Sequence, residues 1–457
     1  VSDLFANQRA LIDHTSFSRV TGRVHEVTGL TIVAEGLPLS VGSMCTIETG
    51  RGEPMAAQVV GIRGHNAVLM TLGDPMGVAV GDRVTSTAGM QHVGVGRQML
   101  GTILDGLGCP IGGRTDFSVE AHYPIYRDAP AALSRAPILE PLSTGIRSID
   151  AMHTVGCGQR LGIFAGTGVG KSVLLGMIAR YTSADVAVVA LVGERGREVG
   201  DFIRRDLGVD GASRTVLVVS TSDQSPVLRV RAGYVATAVA EYFRDLGKNV
   251  LLMMDSTTRI AMAQRQIGLS AGEPPTTKGY PPSVFALLPT MLERSGRTEK
   301  GSITGLYTVL VEGDDITEPV SDAVRGILDG HVWLARDLAN RGHYPAVSVL
   351  ESISRVMPDL VDRAHLDAAM NVRKVLAVWA DIEDLVNVGA YASGTNIDFD
   401  VAVEMKPAID AFLRQAIDEP MDWSQVQGDL LALSGAIDMR REALVGRSKK
   451  RAVAAAT

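Results

Sequence analysis

"AGTGVGKS", residues 165–172, stands between the apolar run RLGIFA (160–165) and a second apolar run, VLLGMIARY (173–181). A buried strand, a Gly-rich turn and a helix that opens on Lys-Ser is the arrangement that cradles phosphate. Gly166, Gly168 and Gly170 let the backbone N–H groups of the loop, Thr167 and Val169 included, turn inward around an anion. The helix opening at Lys171 adds its positive end. Lys171 is placed to bridge the outer phosphates and Ser172 to ligate Mg²⁺. The first position is Ala165 where the strict pattern has Gly, a small change because that position only closes the turn. Motors, switches, kinases and transporters share this loop, so the work it drives has to be read from the residues around it.

Outward from the loop, apolar runs alternate with helix-length pieces: ADVAVVALVG (184–193), RTVLVVS (214–220), NVLLMMD (249–255), ITGLYTVLV (303–311) and PAVSVL (345–350). Continuous rather than alternating apolar runs predict a mainly parallel sheet with helices on both faces. Ligands of such sheets bind beyond the carboxyl ends of the strands. The residues that follow the runs are Glu194, Asp255, Asp314 and Asp315, all expected along one edge with the phosphate loop. Asp255 has the character of a metal-holding carboxylate at a strand end. Glu194, in GERGRE, is the candidate for polarising the attacking water; an ion pair with Arg195 or Arg197 is the other reading of its surroundings.

The flanks differ from this core. From residue 18 to 92, short β-branched runs broken by Gly predict a small antiparallel β-barrel. Pro124, Pro130, Pro137 and Pro141 keep the stretch that follows out of regular helix, so it reads as a long connector within a P-loop ATPase region at 93–357. Past Pro358 the pattern is helical to the end, giving a C-terminal α-helical domain at 358–457. Residues 1–17 read as an amphipathic arm, with Leu4, Phe5, Leu11 and Ile12 at spacings that suit an amphipathic helix.

Composition narrows the class. The 457 residues are 46% hydrophobic and 21% charged with a net charge of −7, which speaks against a dedicated nucleic-acid coat. The basic cluster RSKKR (447–451) reads as a solvated tail after the last helix, with anionic lipid or another acidic partner as the alternative. Cys45, Cys109 and Cys157 are scattered with no CxxC or His-rich company, supporting neither zinc nor disulfides and fitting a reducing cytoplasm. No apolar run reaches the roughly 18 residues of a membrane span. The nine His are dispersed, no Ser/His/Asp or HExxH spacing occurs, and the scattered Met read as core filler.

With these pieces placed, the chain resembles the ATPases of type III protein export, shared by flagella and injectisomes and related to the catalytic subunit of rotary ATP synthases. The resemblance rests on FAGTGVGKSVLLGMIARYT, GERGREV, LLMMDSTTRIAMAQRQIGLSAGEPPTTKGYPPSVF, VLVEGDDITEP and GHYPAVSVLESISRVM. Members of that family also begin the phosphate loop with Ala. The resemblance implies an ATPase with a RecA-like core, with Lys171 on the phosphates, Ser172 and Asp255 on Mg²⁺, Glu194 on the attacking water and Arg195 as a phosphate or outer contact. It implies that adenine packs on Tyr344 in HYPAV, and that Arg355 in SISRVM is an arginine finger reaching into the next subunit of a homohexamer. Expected partners are a regulatory stator-like protein on the arm, a central stalk protein, the export gate, chaperones and secreted substrates. The expected location is cytoplasmic, peripheral at the inner face of the cytoplasmic membrane. The polar, Pro-rich segment 268–283 corresponds to a region facing the ring centre, and a plain surface loop is the equal alternative.

Three other readings compete. A rotary synthase subunit would carry an acidic DELSEED-type stretch in the helical domain, and none is present. A regulatory nucleotide-binding subunit would lack Glu194. An RNA translocase would offer base-stacking aromatics on the barrel, yet residues 20–91 contain no Phe, Tyr or Trp. The wording of the loop helix and of GERGREVGDF favours the flagellar branch over the injectisome.

Overall fold

The computed structural model describes residues 20–50, 52–87, 91–311, 313 and 318–456, with side chains to 447. The arm at 1–17 and the acidic pair Asp314 and Asp315 lie outside the described residues. Six strands close a barrel in the order β1-β2-β5-β4-β3-β6: β1 Thr21–Thr28, β2 Thr31–Glu35, β3 Met44–Glu48, β4 Met55–Arg63, β5 Asn66–Thr71 and β6 Arg83–Ser86. Closure leaves no strand edge exposed. The interior is filled by Val24, Ile32, Ile47, Val59, Leu69 and Val84, so it is a packed core rather than a channel.

The central sheet has ten strands. Its main path is β15-β14-β9-β13-β12-β10-β11-β7-β8: β7 Thr102–Leu104, β8 Pro110–Gly113, β9 Arg160–Ala165, β10 Val186–Val192, β11 Thr215–Ser220, β12 Asn249–Asp255, β13 Ser302–Leu310, β14 Gly330–Leu334 and β15 Val347–Ser354. Strands from β14 across to β7 run parallel. Both faces are covered, which is why these runs are apolar throughout: in β10, Val188, Ala190 and Val192 join one core and Val189 and Leu191 the other. The long helix α2 (Pro226–Asp245) packs in the first core, and α1 (Lys171–Tyr181) in the second.

Three local expectations change. PAVSVL is not a buried parallel strand: β15 pairs antiparallel with β14 at the sheet edge, and only alternate residues are buried. The Pro-punctuated connector contributes β7 to the sheet beside β11, and GHVWL supplies β14, whose His and Trp hide its strand character. The basic cluster RSKKR does not follow the last helix but lies within it, since that helix runs Trp423–Ala456.

Beyond the sheet, α4 (Arg363–Asn387), α5 (Ile397–Leu413) and α6 (Trp423–Ala456) pack around Val372, Val375, Ile382, Val401, Ile409, Leu430 and Ile437. Asp362 caps α4 by accepting the His365 N–H at 2.8 Å, and Asn396 caps α5. Among the described residues no helix is long and apolar enough to cross a membrane.

Candidate active site

Strand β9 ends at Ala165, and the chain turns through residues 166–170 into α1. Gly168 and Gly170 make that turn in the left-handed region, at φ 79° and 91°, where a side chain would be strained. Gly166 is buried with an ordinary φ, so its place in the pattern is not a left-handed turn. Thr167 and Gly168 are exposed and Val169 is buried. Arg336 donates to the Thr167 carbonyl at 3.1 Å, tying the loop to the chain after β14.

Two neighbouring strands bring the carboxylates to this loop. β10 and β12 are in parallel register with Leu191 beside Asp255, so Glu194 leaves the sheet just beyond Asp255. Lys171 Nζ bonds Asp255 Oδ1 and lies 3.8 Å from Glu194 Oε1. Thr308 donates to Asp255 Oδ1 at 2.7 Å. Arg259, on the first turn of α3 (Thr257–Ala271), holds Glu194 through two bonds, Nε to Oε1 at 3.1 Å and Nη2 to Oε2 at 3.2 Å. Two cations thus balance two carboxylates. Burial pushes the Glu194 carboxyl up to about 7; Lys171 works against this, Asp255 adds to it, and Arg259 also opposes it. A carboxylate poised there can accept a proton from water near neutral pH.

Beside the loop opens a cavity of about 430 Å³, lined by Val173, Leu174, Met177, Tyr344, Pro345 and Ile417 among others. Tyr344 is 46% exposed, and its ring lies so close to the loop that a Cβ on Gly170 would meet it at 3.4 Å. Mostly apolar walls and an accessible aromatic face, next to a phosphate cradle, suit a flat heterocyclic base.

Matches to known proteins follow the same division. Residues 24–88 match the ATP synthase alpha/beta family beta-barrel domain, 145–354 its nucleotide-binding domain, and 361–432 the T3SS EscN ATPase C-terminal domain. A flagellum-specific ATP synthase of Bacillus subtilis is 49% identical over 93% of this chain and 97% of its own. A type 3 secretion system ATPase of Xanthomonas euvesicatoria is 48% identical over 87% and 90%. The chain belongs to the flagellar and type III secretion ATPase family. The assembled ATPase EscN of enteropathogenic E. coli, solved with its central stalk EscO, superposes with a TM-score of 0.83 at 40% identity, covering 90% of this chain and all of that one. As a member of this family the chain is a nucleotide-binding ATPase of type III protein export.

Within this ATPase fold the expected site residues separate into three groups. The loop, Lys171, Glu194 and Asp255 come together; Ser172, exposed on the first turn of α1, borders them. Arg195 does not join: its side chain is 80% exposed and pairs with Glu198 at 3.9 Å. Neither Arg195 nor Arg197 is the ion-pair partner of Glu194; that role is taken by Arg259 and Lys171. Arg355 is the third group. It follows β15 at the end where Ser354 pairs with Gly330, whereas the phosphate-loop end of the same strand pair is Val347 beside Leu334. Its own phosphate loop is therefore a full strand length away, about 17 Å along β9.

Arg259, Thr308, Arg336 and the Gln415–Ile417 segment were not read from the sequence. Arg259 had a signal, a cation four residues past a strand-end Asp and hence on the first helical turn facing the same edge. Gln415 to Ile417 had none, because only the docking of the helical domain carries them to the cavity.

Proposed function

We propose that this chain hydrolyses ATP at sites completed between adjacent subunits of a homohexameric ring, and that the turnover energises type III protein export in flagellum assembly. The observation that carries the ring reading is the position of Arg355. It is exposed, no carboxylate pairs with it among the described residues, and it stands at the far end of the sheet from its own phosphate loop. A guanidinium so placed serves a site on another copy, where it stabilises charge spread over the transferring phosphoryl group.

In the same reading, Lys171 exchanges its carboxylate partners for phosphate oxygens when ATP enters, and Glu194 accepts the proton of the attacking water. Arg259 keeps Glu194 oriented. Adenine packs on Tyr344. Arg195, exposed beside this edge, is left an outer phosphate contact at most. A hydroxyl from Ser172 and the Asp255 carboxylate fit Mg²⁺, a cation that keeps several waters and needs few protein oxygens beside those of phosphate. Bound there, it would neutralise charge on the outer phosphates.

The partners are those of an export machine: a central stalk protein in the ring, as EscO is to EscN, a stator-like regulator on the arm, and the export gate, chaperones and secreted substrates. The location is cytoplasmic, peripheral at the inner membrane face, and nucleic acid is not a partner. Two measurements test the proposal. Arg355→Ala should bind nucleotide as before yet lose turnover; unchanged turnover would sink the ring reading. Capture from the parent cell with the purified protein and ATP should recover rod, hook or filament subunits; secreted effectors in their place would assign the chain to an injectisome.

A further inference from the structure

We infer that Gln159 is a positioning residue for Arg355, and that through it each subunit presents its finger to the neighbouring site. The inference rests on the proposal that Arg355 acts in trans. Gln159 precedes β9 and is fully buried. Its Oε1 accepts the Gly156 N–H at 2.9 Å, and its Nε2 donates to Ser354 Oγ at 3.1 Å and to the Asp329 carbonyl at 3.3 Å. Ser354, the residue before Arg355, donates onward to the Thr154 carbonyl at 2.7 Å. The Asp329 carbonyl also accepts the Arg355 N–H at 3.0 Å. The Asp329 carboxylate is held in turn by Arg160, through its backbone N–H at 3.1 Å and through Nε and Nη2 at 3.2 Å each.

Every donor and acceptor of the Gln159 amide and the Ser354 hydroxyl is used. A buried network satisfied in this way fixes one geometry, because any other leaves polar groups unpaired away from water. The need for it is local. β15 is an edge strand with one hydrogen-bonded neighbour, β14, so its last residues would otherwise fray. Arg373 of α4 braces the strand farther up, donating to the carbonyls of Leu350 at 2.7 Å and Ser352 at 3.3 Å. The final step to Arg355 depends on Gln159 and Asp329. A catalytic cation needs such a base, since a misplacement of about 1 Å can cost on the order of 100-fold in rate.

Gln159 also begins the strand that ends in the phosphate loop. A defect there could act on the subunit's own site or on its neighbour's, and the two are separable by mixing subunits. Gln159→Leu keeps the volume and removes the amide. Rings of this variant should show kcat lowered about 10- to 100-fold with the KM for ATP unchanged. Mixed in equal amounts with Glu194→Gln, which keeps its finger and lacks the carboxylate, activity should return, because about one site in four then joins an intact Glu194 to an intact Arg355 in a head-to-tail ring. Arg355→Ala mixed with Glu194→Gln is the reference and should recover equally. Recovery of the reference but not of the Gln159→Leu mixture overturns the inference and places Gln159 with its own phosphate loop. No recovery in the reference overturns the trans finger itself. Ser354→Ala, a smaller change to the same network, undergoes the same mixing and decides the matter if Gln159→Leu does not assemble.

Discussion

The two ends of the parallel sheet are built on opposite plans. At the carboxyl end, charges are gathered and incompletely settled. Lys171 divides itself between Asp255 and Glu194, and burial holds the Glu194 carboxyl near neutrality. At the amino end, Gln159 and Ser354 are hydrogen-bonded and Arg160 pairs with both Asp329 and Glu293, while the guanidinium of Arg355 has no carboxylate partner among the described residues. One end is arranged to change partners on binding, the other to hold still while presenting a cation. Strand β9 joins them, with Arg160 at its start and Ala165 at its close. A ring that sets the amino end of one sheet against the carboxyl end of the next needs both plans in every subunit.

The comparison breaks first at Arg355. Arg355→Ala should lower kcat by about 1,000-fold while leaving nucleotide affinity unchanged, as steady-state hydrolysis beside fluorescent-nucleotide binding would reveal. Arg355→Lys should restore little, because an ammonium lacks the planar fork that spans two oxygens. An equal loss of affinity would make Arg355 a ground-state contact and dissolve the contrast between the ends.

Glu194→Gln comes next, with a loss of about 100-fold or more in turnover and retained ATP binding. Retained turnover would move the task of activating water to another group. The unsettled carboxyl end also has a pH signature. A base must be ionised to accept a proton, so kcat/KM should fall about tenfold per pH unit below about 7 and level off above it, as long as Glu194 keeps the raised value it has without nucleotide. A limb bending near 4 to 5 instead would show that Glu194 is as free there as an exposed carboxylate. The smallest effect belongs to the cavity wall: Tyr344→Ala should raise the KM for ATP about 5- to 10-fold with little change in kcat, the size expected for one aromatic stacking contact.

Legibility in the sequence follows the range of the interactions involved. The loop, α1 and the strands on both sides of it could be read because each is determined within a dozen residues, by Gly placement and by apolar runs that only a doubly covered sheet requires. Glu194 and Asp255 were legible for a related reason, since parallel strands align their carboxyl ends and whatever follows each run falls on one edge. β14 was obscured by His331 and Trp333, which dilute the apolar pattern, and Phe164 accounts for both, contacting His331 edge-on and Trp333 face to face; β15 was legible as a strand, but not its antiparallel place at the sheet edge. The partner of Glu194 was not legible, and the alternative that paired it with Arg195 or Arg197 does not hold. Arg195 and Arg197 are near in sequence, but the helix opening at Gly196 leaves both exposed, while Arg259 arrives on the helix after β12, the neighbouring strand one hydrogen-bond ladder closer to the loop.

The sequence by itself determined the phosphate loop, the layered core, the barrel before it and the helices after it, because these rest on local backbone preference and on periodicity. The tertiary structure decided which charges meet and which stay apart. It paired Glu194 with Arg259 and brought Gln415 to the cavity, and it placed Arg355 a strand length from its own phosphate loop. Those outcomes depend on strand order and on the antiparallel turn of β15, and no spacing along the chain encodes either, since contacts across a sheet are set by which strands become neighbours.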